Sequence, residues 1–272
     1  MATVYIAPTA QGSADGTSEA NAYAYSSLST AESDAGSGGT IFFTDGTYTL
    51  SGNQTWDGSG INYKSLNLKQ AIIDGNSTLR QISIGSATST NILISDFHFK
   101  DTCFIIDGTG TNPVSISGIF LEYTAPFSRA YFGTIYGKGK RLDITNSVFA
   151  PNYSAGDSLI YHGNSASEVT NCTFNITATG LAANAIRNFD SYSLPKYKNC
   201  IFTSDNSAAI QSTTGLSVIT NSSCTNCCIH DFGTSHTITA PNIIDDPQFV
   251  DSSSGDYRLR PSSPCINAGT AS

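Results

Sequence analysis

Tyr136, Tyr161, Arg187, Gln211 and His230 each follow an isoleucine in a short segment that recurs every two dozen residues or so. Brought to one outward face, two tyrosine rings would pack against the apolar faces of pyranose sugars. A guanidinium and an amide beside them would bind sugar hydroxyls or a uronate carboxylate. The spacing therefore points to a glycan-binding strip. Tyr and Arg are also ordinary occupants of exposed strand positions, so the pattern marks a surface before it marks an activity.

The constellations that catalysis needs are weaker. Proton abstraction beside a uronate carboxylate requires a base, with Ca²⁺ or cationic groups to hold the developing enediolate. Asp157, Asp190 and Asp205 are near Arg187 in sequence but on turn-like segments, and Lys138, Lys140 and Lys198 have no evident partner set. Glycoside hydrolysis requires two carboxyl groups about 5–5.5 Å or about 6.5–9.5 Å apart. The adjacent pair Asp245-Asp246 falls among terminal turn residues, and the four glutamates share no phase. No catalytic residue and no cofactor is assigned. His98, His162, His230 and His236 fall on different segments, and Cys224-x-x-Cys227-Cys228 has no second pair of ligands at metal-binding spacing, so no metal site is assigned.

Composition narrows the classes further. The 272 residues carry 13 basic and 21 acidic side chains, a net charge of -8, with the cations scattered. Nucleic acid is a poor partner for such a chain. Hydrophobic residues make up 39%, with 13 Tyr and 14 Phe, which argues against disorder. No apolar run approaches the ~18–20 residues of a membrane span. The N-terminal residues lack the basic and apolar regions of a secretory signal, so the seven cysteines are expected to be reduced and mostly buried.

Two interleaved series position the strip. In the first, alternating polar and apolar residues lead into a turn and then an aromatic: Asn91–Phe99, Pro113–Leu121, Arg141–Phe149, Glu168–Phe174, Lys196–Phe202 and Leu216–Cys224. Asn146, Asn171, Asn199 and Asn221 hold one place in it, and Phe149, Phe174, Phe202 and Cys224 follow three residues later. Asp96 with Phe99, and Ser117 with Phe120, are the earlier equivalents. The second series aligns on Ile105, Ile135, Ile160, Ile186, Ile210 and Ile229, so that Ile106 begins the outward strip.

Both series advance together, which predicts a coil of short strands, each stacked in parallel on its equivalent one turn later, about 4.8 Å away. Phenylalanine ladders then fill the interior. The asparagines suit corners, where they tolerate left-handed angles and bond to the next asparagine. The fold class is all-β: a single-stranded right-handed parallel β-helix with a short N-terminal capping helix and a C-terminal hairpin-like cap. One domain spans 1–272, with the N-terminal strand, helix and first coil in 1–50, central coils in 51–240 and the C-terminal cap in 241–272. Ser29 and Glu32 have capping-box spacing, and Leu28, Ala31 and Ala35 share a helical face. Trp56 is expected to pack a long loop, Leu50 to Ile61, onto the barrel.

The opening Gly39-Thr40-Ile41 … Gly46-Thr47-Tyr48 and the closing Asp246-Pro247-x-Phe249-Val250 … Gly255-Asp256-Tyr257-Arg258-Leu259 … Ser263-Pro264-x-Ile266-Asn267-Ala268-Gly269 carry a resemblance. On these motifs the chain resembles right-handed parallel β-helix proteins of the pectate-lyase-like superfamily. That superfamily includes polysaccharide lyases and hydrolases, cell-surface proteins and phage surface proteins. The resemblance implies a non-catalytic structural module of a phage particle, a capsid decoration or tail-associated protein. It would be made in the host cytoplasm and displayed on the virion surface. Its expected partners are other virion proteins or copies of itself, with surface polysaccharide as a further candidate. The alternatives are a polysaccharide lyase or hydrolase, or a non-catalytic glycan-binding module.

Overall fold

Alternation of period two makes each repeated segment a half-buried strand. Val114 and Ile116 are buried in Val114–Ser117 while their neighbours face outward, and Leu142 and Ile144 do the same in Leu142–Thr145. These strands pair in parallel, Val114 with Leu142 and Ile116 with Ile144. The computed structural model describes residues 2–56, 58, 60–84, 91–107, 113–124, 135–138, 141–150, 152–153, 158–163, 167–178, 184–188, 196–204, 224–230 and 239–270. Among them the chain forms three long parallel sheets of ten, nine and six strands. The first runs from Tyr23–Ala24 to Cys224–Thr225, the second from Gly46–Thr49 to Cys228–His230, and the third from Gln54–Trp56 to Asn184–Asn188. This is the expected parallel β-helix.

One left-handed residue per coil turns the chain from the first sheet into the second: Asp96, Gly118, Asn146, Asn171, Asn199 and Asn226, with φ between 51° and 69°. Asn and Gly enter this region at least cost. The amides link neighbouring coils, Asn171 Nδ2 donating to Asn146 Oδ1 at 3.3 Å and Asn199 Nδ2 to Asn171 Oδ1 at 3.1 Å. The expected ladder therefore holds for Asn146, Asn171 and Asn199, but its next rung is Asn226. Cys224 pairs with Tyr197, two residues ahead of Asn199, so Cys224 lies before the corner and not after it. Asn221 lies outside the described residues. Similarly, Gly118 takes the corner expected for Ser117, and Leu121 is the inward residue expected at Phe120. A glycine at the left-handed corner had shifted the alignment by one.

Two inward rows follow each corner. Phe99, Leu121, Phe149, Phe174, Phe202 and Ile229 stack in register, and all are buried. The expected phenylalanine ladder has ring centroids 5.2 Å apart for Phe149–Phe174 and 4.8 Å for Phe174–Phe202, both at 11°. Nearer the corner lie Ser147, Cys172, Cys200 and Cys227, also buried. Each donates to the carbonyl two residues back, at 2.8, 3.3, 3.3 and 3.6 Å respectively. In these four coils a small side chain with one donor fills the place, serine in one and cysteine in three, where Phe97 and Ile119 fill it in the two coils before.

The third sheet corrects the second series. Ile135, Ile160 and Ile186 are in register, but Phe104, not Ile105, is their earlier partner. Ile106 is accordingly buried instead of outward. In Phe104-Ile105-Ile106 three consecutive apolar residues satisfy the alternation in either frame.

At the N-terminal end the helix Leu28–Ala35 buries Leu28, Ala31 and Ala35 against the strands Thr3–Ala7 and Thr40–Phe43. Its N-cap is Ser27, without a side-chain cap bond, so the capping box is not formed. Glu32 instead accepts a 2.6 Å hydrogen bond from the Tyr63 hydroxyl. Trp56 belongs to the strand Gln54–Trp56 and is fully buried, its ring stacked on Tyr63 at 4.9 Å. It is therefore core, not the anchor of a loop.

At the other end Phe249–Asp251 and Asp256–Leu259 form the expected antiparallel hairpin. It lies back along the outer face of the second sheet, where Asn175 Nδ2 donates to Tyr257 OH at 3.2 Å. The tail then crosses the asparagine corner. Thr270 N donates to Asn199 Oδ1 at 3.0 Å, and Asn199 Nδ2 donates to Thr270 O at 2.9 Å.

Candidate functional site

The outer face of the second sheet carries two rows fixed by strand register. Ile72, His98, Phe120 and Val148 form one, and Asp74, Lys100, Glu122 and Ala150 the other. Farther along, Asn175, Thr203 and His230 occupy successive coils. In parallel stacking a side chain meets those one strand spacing away, so polar and charged groups pair across coils, along a row for Lys100 and diagonally between rows for His98. Lys100 Nζ sits 3.3 Å from Asp74 Oδ2, and His98 Nε2 lies 3.0 Å from Glu122 Oε1. The His98 ring also lies against Phe120, with centroids 4.9 Å apart.

The C-terminal hairpin supplies the opposite wall. Its strands bring Tyr257 to 6.3 Å from Phe120 and set Phe249 edge-on against Tyr257 at 5.3 Å. The connecting turn Ser252–Ser254 is held by Asp251, whose Oδ1 accepts from Ser253 Oγ at 2.6 Å and from Ser254 N at 3.3 Å. These bonds, that of the Ser253 hydroxyl foremost, hold the Asp251 carboxyl below its ordinary pKa. Gly255, with φ 80°, closes the turn. Beyond it Arg258 grips Asp256 at 2.6 and 2.8 Å and lowers its pKa to about 2. Between the walls runs a groove of 770 Å³ lined by His98, Phe120, Glu122, Tyr123, Ala150, Asn175, the turn Ser252–Gly255 and Tyr257.

The groove offers aromatic surface from Phe120 and Tyr257, hydroxyls from the serine turn, an amide from Asn175 and a carboxylate from Glu122. Such a mixture binds a polyhydroxylated ligand: apolar ring faces take the sugar's C–H face, and the rim takes its hydroxyls. Each carboxylate facing out from this stretch of sheet is already engaged by a neighbouring side chain, Asp74 by the Lys100 ammonium and Glu122 by the His98 ring. Among the described residues no three His, Cys, Asp or Glu side chains converge as a metal-binding group.

The strip expected from the sequence divides. Tyr136 pairs with Tyr161 and Tyr161 with Arg187, so these three stand in successive coils of the third sheet, where the description is of the backbone. Gln211 lies outside the described residues. His230 is on another face, in the second sheet opposite Thr203. Its isoleucine, Ile229, belongs to the phenylalanine row, because the corner before it is Asn226. His230 thus shares the groove's sheet, two coils beyond Asn175, about 10 Å at normal strand spacing.

The sequence reading missed Glu122, Lys100 and Phe120 as outward residues. The signal was present: His98 and Glu122, like Asp74 and Lys100, are separated by one repeat. Tyr257 had no such signal, since no periodicity fixes where a terminal hairpin lies.

No protein-family model matches the chain, and no curated protein matches it. Among solved structures it is similar to pectate lyase Pel9A, at 13% identity and a TM-score of 0.37, over 100% of this chain and 92% of that one. It is likewise similar to pectin methylesterase PemA from Erwinia chrysanthemi, at 13% identity and a TM-score of 0.43, over 89% and 92%. The three stacked parallel sheets make the chain a parallel β-helix, and a pectate lyase and a pectin methylesterase are among the solved structures it is similar to.

Proposed function

We propose that this chain is a rigid, non-catalytic β-helical module that binds a polysaccharide in the groove between the second sheet and the C-terminal hairpin. The observation that carries the reading is the pairing of Phe120 with Tyr257 across that groove, flanked by Asn175 and the serine turn. Two aromatic surfaces with hydrogen-bonding groups at the rim are what a pyranose needs; the second sheet holds Phe120, and the hairpin holds Tyr257 against it through the Asn175 amide. The engaged state of Asp74 and Glu122 suits binding better than proton transfer, which wants a carboxyl group available to the substrate. A net charge of -8, with the Glu122 carboxylate in the groove, favours a neutral glycan over a polyuronate. Display on a phage particle, beside other virion proteins or further copies of the chain, stays part of the proposal as its setting. It rests on the resemblance of the terminal motifs and on the stiffness of stacked coils.

The test is calorimetric titration of the full chain with soluble neutral and uronate oligosaccharides, alongside assays for new reducing ends and new unsaturated ends. A neutral glycan should bind without turnover. Phe120→Ala and Tyr257→Ala should each weaken binding about tenfold, the ~1.4 kcal/mol of one aromatic contact, while circular dichroism stays unchanged. Wild-type affinity in both variants would overturn the site. Appearance of either product would replace binding with the lyase or hydrolase alternative.

A further inference from the structure

The C-terminal tail brings one cysteine onto another. Cys228 opens the last strand of the second sheet and stands on its outward row, opposite Ile201. It is nevertheless buried, because the tail covers it. Ile243 bridges to Cys228, and Cys265 in the same cavity brings its thiol within hydrogen-bonding reach of the Cys228 thiol. Several bonds hold the tail in this place. Ser263 Oγ donates to Pro247 O at 2.6 Å, Cys265 N donates to Ser263 Oγ at 3.1 Å, and Thr270 is gripped by Asn199. Cys228 Sγ lies 3.3 Å from Asp245 O. Both cysteines line a cavity of 230 Å³ that also touches Ile243 and Leu259.

The other thiols are placed differently. Cys103, Cys172, Cys200, Cys224 and Cys227 are buried, and Cys172, Cys200 and Cys227 donate to backbone carbonyls inside the helix. Cys265 is the cysteine with partial exposure. A soluble oxidant therefore reaches this pair and not the internal ladder.

We propose that Cys228 and Cys265 form a disulfide that locks the C-terminal strap onto the last coil when the chain meets a small-molecule disulfide oxidant such as oxidised glutathione. Cys265 attacks first, as the thiolate, on one sulfur of the oxidant. That sulfur–sulfur bond breaks, one glutathione thiolate leaves, and a mixed disulfide forms. Cys228 then loses its proton to solvent and attacks the Cys265 sulfur, expelling the second glutathione. Two protein thiols and one oxidant disulfide become one protein disulfide and two glutathione thiols, so the two electrons go to glutathione. The order follows from exposure. Cys265 is the partly exposed thiol that the oxidant meets first, whereas Cys228 is buried and its S–H donates to Asp245 O at 3.3 Å. The closed loop contains the whole hairpin, so oxidation fixes one wall of the groove without depending on any glycan being bound.

The experiment treats the native full chain with oxidised glutathione or with a dithiol reductant, then alkylates it in denaturant and maps its peptides by mass spectrometry. Oxidation should remove two of the seven thiols and yield a single Cys228–Cys265 cross-link. The strap should also become slower to release by protease. In C265S the cross-link and the oxidation-dependent protection should both vanish, with the reduced protein otherwise unchanged, and C228A should do the same. Seven alkylated thiols after oxidation, a cross-link between other cysteines, or a stable glutathione adduct on Cys265 would each overturn the proposal.

Discussion

Around Trp56 the interior is a cluster of unlike rings, with Phe43, Tyr48, Tyr63, Phe97 and Phe99 meeting at interplanar angles from 25° to 81°. From Phe149 to Phe202 the same space is filled by one residue type repeated, each ring 11° from the next. The two regions answer different problems. A middle coil needs only to match its neighbours, so a translated copy of one side chain suffices. An end coil lacks one neighbour and must also hold a helix and a first strand. There the rings carry polar handles. Trp56 Nε1 donates to Tyr25 OH at 3.2 Å, Tyr63 OH to Glu32, and Tyr48 OH to Ile6 O at 2.9 Å. Each handle ties the aromatic cluster to the capping layer.

Substitutions should separate the two designs. Trp56→Ala and Phe174→Ala each empty a fully buried site and should cost about 3–5 kcal/mol in urea unfolding. Leucine at the same positions sharpens the contrast. Phe174→Leu should cost less than about 1.5 kcal/mol, because Leu121 and Ile229 already stand in that row. Trp56→Leu should cost nearly as much as alanine, since it fills less space and strips Tyr25 of its indole donor. Equal leucine costs at the two sites would erase the distinction.

Alkaline pH should act next most strongly, through the cap. Burial raises the Tyr25 pKa from 10.0 to about 12. A raised pKa means that the folded state keeps a proton the unfolded chain has lost. The stabilisation is therefore complete below pH 10 and falls as pH rises from there toward about 12. The loss from this group should approach about 2–3 kcal/mol. Tyr25→Phe should make that part of the stability curve shallower, the remaining slope coming from Tyr48 and Tyr197, whose pKa values burial also raises. The same slope in Tyr25→Phe would show that the cap does not hold Tyr25 neutral.

The smallest effect belongs to the ladder's corner. Asn171→Ala removes the amide links to Asn146 and Asn199 and places alanine at φ 54°. It should cost about 1–2 kcal/mol by denaturant unfolding. Asn171→Gly keeps the angle and should lose only the hydrogen bonds. If glycine costs more than alanine, the backbone angle is not what selects asparagine at this corner.

The same contrast explains which parts of the molecule were legible in the sequence. The ladder region repeats, so Phe149, Phe174 and Phe202 could be stacked from spacing alone, as could Asn146, Asn171 and Asn199. Register failed where residue type did not mark the frame. Three consecutive apolar residues hid the choice between Phe104 and Ile105, and a glycine corner hid Gly118. Asn221 and Asn226 are equally turn-prone and five residues apart, so residue type alone leaves the corner open between them. The aromatic cluster was opaque because its rings come from unlike coils, and Trp56 looked like a loop residue. The groove was half visible. His98, Lys100, Phe120 and Glu122 follow the repeat, but Asn175 and Tyr257, hydrogen-bonded in the structure, are 82 residues apart. Only the path of the terminal hairpin joins them.

Hydroxyl-radical footprinting of the full chain with and without a bound neutral oligosaccharide tests the proposed groove most directly, because oxidation is read ring by ring. Phe120 and Tyr257 should be protected by the glycan, while Tyr136 and Tyr161 on the third sheet oxidise at the same rate in both states. Protection of Tyr136 and Tyr161 with Phe120 and Tyr257 unchanged would move binding to the other face and contradict the account given for the groove.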